Sequence, residues 1–95
     1  MPQRFYITLG ATTSAGGTVV SAGSLMALDG VRVALEGDEV ACPACDGVGI
    51  IAPDGPRLPV RDAGRLYALS GDLCLCGCEP PPRLVAAQML SGQTV

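Results

Sequence analysis

Two cysteine-bearing stretches 34 residues apart constrain this chain more than any other feature. Residues 71–82, GDLCLCGCEPPP, place Cys74, Cys76 and Cys78 at alternate positions. Residues 37–45, GDEVACPAC, hold the other two cysteines, Cys42 and Cys45. Each stretch opens on Gly-Asp, with a cysteine five residues after the glycine: Cys42 after Gly37 and Cys76 after Gly71. The same shift lays Gly30 on Gly64, Ala34 on Ala68 and Leu35 on Leu69. A degenerate third copy stands at the start, where Gly10 takes the part of Gly37 and Ala15 occupies the cysteine-equivalent place. Each loop leads into a short apolar run: TVVSA, VGIIA, then LVAAQ. A recurring loop-then-strand unit predicts three-fold pseudo-symmetry, with the three loop ends converging at one place.

The composition agrees with short strands. Thirteen Gly and eight Pro interrupt the 95 residues every few positions, and the only aromatics are Phe5, Tyr6 and Tyr67. Such punctuation argues for an all-β chain of strands and turns. The length predicts one small domain over residues 1–95 with no fused effector domain. A core this size gains from a covalent or metal cross-link. Five cysteines cannot all pair within one chain, and close cysteine pairs in a reducing cytoplasm bind metal or do redox chemistry. The absence of histidine removes Ser–His and Cys–His catalysis and every histidine-containing zinc site. The chain is expected not to be an enzyme. A net charge of −3 without a basic cluster argues against nucleic acid, whose phosphates need cations. No apolar run approaches the ~18 residues of a membrane span. The N-terminal RFYITLGATTS makes a poor signal peptide, so synthesis in the cytoplasm without general secretory export is expected.

Read in order, strands are expected at residues 3–9, 18–22 and 48–52. Hairpins are expected at 25–28 with 31–35 around Asp29-Gly30, and at 58–61 with 65–69 around residues 62–64. Residues 83–90 have helical propensity, but the repeat favours a strand. Residues 91–95 are expected to fray.

The segments GATTSAGGTVVSAG, LDGVRVALEGDEVACP and LSGDLCLCGC resemble the PAAR-repeat proteins of the type VI secretion spike. The resemblance spans residues 4–90. It implies a small cone of folded β-hairpins that is monomeric by itself. The broad base would dock on the trimeric tip of the spike protein VgrG, one cone per trimer, and the point would hold zinc. Export by the type VI system without a signal peptide, and an adaptor role for separate effectors, are further implications. The Pro-Ala-Ala-Arg motif is eroded, with only Ala34 matching within residues 32–35. Family members place histidines where this chain has Ala15 and Cys45, so cysteines are expected to replace the usual histidine ligands.

Zinc takes four tetrahedral ligands, and thiolates serve well. Cys42 and Cys45 have the C-x-x-C spacing that presents two sulfurs from one turn, and Cys42 should meet its pseudo-equivalent Cys76. The fourth ligand is Cys78 or Cys74. Cys78 is preferred, because Gly77 lets the chain curl there, which leaves Cys74 as a buried or spare thiol. The competing readings are a redox pair, an iron–sulfur centre and plain buried cysteines. Asp38 and Asp72 are read as closing their own turns. Arg4, Arg32, Arg57, Arg61, Arg65 and Arg83 are read as solvated or at the base. Leu25, Met26, Leu28, Leu58 and Val60 are candidates for the docking base, against the alternative that they fill the core. The runner-up function is a stand-alone cytoplasmic zinc-binding module for protein interaction, and a small redox enzyme is a third.

Overall fold

The structure is a computed structural model and describes residues 3–94. It is all-β. The strands are β1 Gln3–Phe5, β2 Thr12–Thr13, β3 Thr18–Val19, β4 Ala27–Leu28, β5 Val31–Arg32, β6 Glu39–Cys42, β7 Gly47–Ala52, β8 Arg61–Asp62, β9 Arg65–Leu66, β10 Leu73–Leu75, β11 Leu84–Val85 and β12 Gly92–Thr94. A 3-10 turn, Pro43–Cys45, joins β6 to β7.

Six strands form an antiparallel sheet in the order β10-β7-β6-β3-β2-β11. Its two edges approach each other through a bridge between Leu73 and Arg83. There Cys74 N donates to Pro82 O at 2.8 Å and Leu84 N to Asp72 O at 2.8 Å, so the sheet curls into a nearly closed wall. The side chains turned inward are small to medium and none is aromatic: Ala11, Val19, Val40, Ile51, Cys74 and Leu84 pack with Ile7, Ala34 and Ala68. Aliphatic residues of this size fill the narrow interior of so tightly curved a wall without aromatic rings.

Neighbours in this sheet are antiparallel, so β2, β6 and β10 run in one direction and the loops after them leave from the same end. At the other end three backbones close a ring. Ala34 N donates to Ile7 O at 2.7 Å, Ile7 N to Ala68 O at 2.9 Å, and Ala68 N to Ala34 O at 3.0 Å. Three residues further on, the same turn recurs at Gly10, Gly37 and Gly71, with φ of +87°, +84° and +88°. Each of these glycines donates to the strand that returns after the next loop, reaching Val19, Ile51 and Leu84 at 2.8–2.9 Å. The positive φ is why glycine stands at all three.

Asp38 and Asp72 close their turns as expected: Leu35 N donates to Asp38 Oδ2 at 2.7 Å, and Leu69 N to Asp72 Oδ2 at 2.9 Å. The arginines depart from expectation. Arg4 and Arg57 are neither solvated nor free for a partner, with side chains only 13% and 10% exposed. Both pair with the fully buried Asp72, Arg4 Nη2 at 2.8 Å from Oδ1. A buried carboxylate is tolerated only when its charge and lone pairs are met. Asp54 N supplies a further donor at 3.0 Å.

The Asp29-Gly30 hairpin turn forms, with φ of +53° and +81°. The second hairpin turns on Ala63-Gly64 alone, at φ of +53° and +79°, and Asp62 belongs to β8, paired with Arg65. Only Leu84–Val85 of residues 83–90 forms a strand. Beyond it, Gln88 holds the backbone in an irregular path: its Oε1 accepts from Leu90 N at 2.6 Å and Ser91 N at 3.1 Å, and its Nε2 donates to Tyr6 O at 2.8 Å. The tail expected to fray is paired instead. β12 lies antiparallel to β1, and the buried Gln93 accepts from Leu58 N at 2.7 Å. Val95 falls outside the described residues.

Candidate metal centre

The cysteines come together at the end where the loops after β2, β6 and β10 leave the sheet. Pro43 opens the 3-10 turn, a position where its missing N–H costs nothing. Asp46 ends the turn in the left-handed region at φ +53°, and Asp46 N donates to Pro43 O at 3.3 Å. This short turn carries Cys42 and Cys45 on one side. Beyond β10 the chain bends at Gly77, with φ +101°, which brings Cys76 and Cys78 around to the same place.

Between these two arms lies β7, and Gly49 is what lets them meet. A Cβ at Gly49 would stand 2.7 Å from Cys76 Cβ, 2.8 Å from Leu75 O and 2.9 Å from Cys74 Sγ. With no side chain there, sulfurs from the flanking strands reach each other across the middle strand. The sequence carried a usable signal, since a glycine inside a strand marks close approach of something else. In VGIIA that signal is masked by the strand-forming residues on either side of the glycine.

The sulfurs of Cys42, Cys45, Cys76 and Cys78 all lie within 4.8 Å of one another and could hold a metal ion. Cys42 Sγ is 3.1 Å from Cys76 Sγ and 3.7 Å from Cys78 Sγ. The Cys45 thiol donates to Cys76 O at 2.9 Å. Four thiolates around zinc, at Zn–S of about 2.3 Å, would sit about 3.8 Å apart, so the cluster needs only small adjustments to fit a tetrahedral ion. All five cysteines are free thiols. Cys42 is buried while Cys45, Cys76 and Cys78 are half-buried, so the centre opens to solvent on one side. Cys74 is not in the cluster. It is fully buried in the hydrophobic core.

The protons are unevenly shared. The Cys76 thiol is lowered to about 6, chiefly by a backbone hydrogen bond from Cys78 and then by the Cys42 thiol. Cys45 is pushed up to about 12, first by burial and then by hydrogen bonds to its three neighbours. Cys78 rises to about 11 through its hydrogen bonds to Cys76 and Cys42. Without a cation, Cys76 is the most acidic of these shifted thiols. A divalent ion would displace their protons and hold all four sulfurs as thiolates. Cys74, pushed up to about 12 mainly by burial, stays a neutral core thiol.

No helix among the described residues is long and apolar enough to cross a membrane. No curated protein and no solved structure matches the chain significantly. Residues 9–79 match the PAAR motif, a span that takes in all three glycine turns and all four clustered cysteines. With well over half of its length matched, the chain belongs to the PAAR-motif family.

Proposed function

We propose that this protein is a spike tip of the type VI secretion system, a monomer that caps one VgrG trimer and is expelled with it. One observation carries the reading: the four-thiol cluster sits at the end of the sheet opposite the backbone ring of Ile7, Ala34 and Ala68. That arrangement gives a closed point and a base, and the recurring glycine turns are consistent with a base of three-fold pseudo-symmetry facing a trimer. Zinc bound by Cys42, Cys45, Cys76 and Cys78 would hold the point together. Synthesis in the cytoplasm, export without a signal peptide and carriage of separate effectors follow from the same role.

The apolar residues picked out for the base divide in two. Leu25 is 87% exposed, and Leu58 and Val60 are also exposed, so these three do not fill the core. Met26 and Leu28 are half-buried. Exposed apolar side chains near a fold's end suit a docking face. The test is to mix the purified protein with its VgrG and measure the mass of the complex by light scattering. One chain per three spike chains is expected, and Leu58→Asp should weaken the complex while leaving metal content unchanged. A folded, zinc-loaded protein that binds no VgrG would replace this reading with that of a zinc-binding interaction module.

A further inference from the structure

We propose that the four-thiol point is also an oxidation site whose product is a Cys42–Cys76 disulfide, so that a peroxide exchanges a metal-closed point for a covalently closed one. The proposal takes the metal-bound point of the preceding section as its starting state. Its chemistry rests on the placement of the sulfurs.

The pairing follows from geometry and differs from what the spacing alone suggests. A C-x-x-C pair usually invites a bond between its own two sulfurs, here Cys42 and Cys45. In this fold the Cys45 thiol instead points at the carbonyl oxygens of Cys76, at 2.9 Å, and of Cys42, at 3.7 Å. The Cys42 and Cys76 sulfurs stand 3.1 Å apart, closer than Cys42 and Cys78 at 3.7 Å. A disulfide needs about 2.05 Å, so the favoured pair has only about 1 Å to close. The missing side chain at Gly49 is what lets Cys76 lie this close to the middle strand, where a Cβ would stand 2.7 Å from its Cβ.

Access divides the roles. Cys76 is half-buried and within reach of a small oxidant, while Cys42 is buried. The Cys76 thiolate attacks one oxygen of hydrogen peroxide. The O–O bond breaks, giving a sulfenic acid on Cys76 and hydroxide. The Cys42 thiolate then attacks the Cys76 sulfur, forming the S–S bond and expelling a second hydroxide. Each sulfur gives up one electron, the peroxide takes up two, and the two hydroxides take two protons from the buffer to leave as water. Because the chain has no histidine, this single event removes two of four ligands, leaving a pair of thiols that cannot enclose the ion. The new bond joins the end of β6 to the bend after β10, across β7, so the two arms stay tied after the metal leaves.

The test starts from the protein as purified, with its metal content measured first. It is then treated with hydrogen peroxide while metal release is followed with a chromogenic chelator, and disulfides are mapped by mass spectrometry without reduction. The expected result is one metal ion released per Cys42–Cys76 bond. The oxidised protein should melt higher than reduced protein stripped by a chelator. A Cys45→Ser, Cys78→Ser variant, which keeps both partners, should form the same bond, and Cys76→Ser should not. A main product of Cys42–Cys45 or Cys76–Cys78, or of sulfinic and sulfonic acids without a cross-link, would overturn the proposal. Purified protein that carries metal yet gives one of those products sinks the proposal and leaves the metal reading standing. Protein that carries no metal yet forms the Cys42–Cys76 bond does the reverse for the chemistry.

Discussion

The two ends of the sheet are held by different forces. At the base, the ring through Ile7, Ala34 and Ala68 is made of backbone hydrogen bonds, and Asp72 is locked by Arg4, Arg57 and two backbone N–H groups. At the point, the arms carrying Cys42 and Cys76 are separated by β7, and the sulfurs meet above it. The base carries its cohesion in groups that every residue has or that pair permanently. At the point only Cys42 lies within a strand ladder, while Cys45, Cys76 and Cys78 stand beyond the strand ends. The comparison predicts that the point fails on losing its ligand and that the base fails on losing a charge.

Breaking the point should have the largest effect. Chelation, or Cys42→Ser, should empty the centre and lower the thermal midpoint more than any single change at the base. Structural zinc contributes about 10–16 kcal/mol in small zinc-folded peptides. Elemental analysis paired with thermal melts checks this, and a melt unchanged by chelator would show that the thiols need no ion.

Next comes the buried carboxylate. Asp72→Ala strands two guanidinium groups and two backbone donors, and should cost about 3–5 kcal/mol in urea unfolding. Asp38→Ala should cost less, about 1–3 kcal/mol, because its ion partner Arg65 is 37% exposed and water can replace the lost contact. Equal losses at the two positions would mean that the sequence repeat, not burial, sets their importance.

Gly49→Ala tests how the two arms meet. The added methyl collides with Cys76 Cβ, Leu75 O and Cys74 Sγ, and overpacking of this kind costs about 1–3 kcal/mol. Metal affinity should fall as well, while the base stays intact by the pairing of β1 with β12 in amide exchange. Unchanged metal affinity would show that the arms can separate without cost.

The smallest effect is that of pH on metal-free protein. Cys45 and Cys78, raised above 9.0 to about 12 and 11, contribute stability that is full below pH 9 and lost as pH rises toward those values. Cys74 behaves likewise, at about 12. Cys76, lowered to about 6, contributes stability that is full above pH 9 and lost as pH falls through 6. Melts in chelator should therefore peak near pH 9 and fall more steeply on the alkaline side, where three thiols act against one. In the same range, metal uptake at pH 8 should release the protons of Cys45 and Cys78, which an indicator dye can count.

How far the residues alone could be read depended on distance along the chain. The Asp29-Gly30 turn was legible because two adjacent residues tolerant of positive φ suffice to make it. The second hairpin misled by one residue, since Ala63 takes a left-handed conformation that its side chain does not advertise. The tail was misjudged for another reason. SGQTV looks like a frayed end, and only the arrival of Gln3–Phe5 beside Gly92–Thr94 gives it a partner. The arginines failed likewise, because nothing near Arg4 or Arg57 in sequence shows that both reach Asp72.

By itself, the sequence determined the all-β character, the recurring turns closed by Asp38 and Asp72, and the supply of thiols without histidine. These are properties of single residues and short turns, governed by local sterics and by side-chain chemistry. Tertiary structure decided which sulfurs cluster, that Cys74 is spent in the core, and that Asp72 holds two arginines. Those outcomes depend on which strands lie side by side and on the space left at Gly49, quantities set by the closing of the sheet as a whole and carried by no single stretch of the chain.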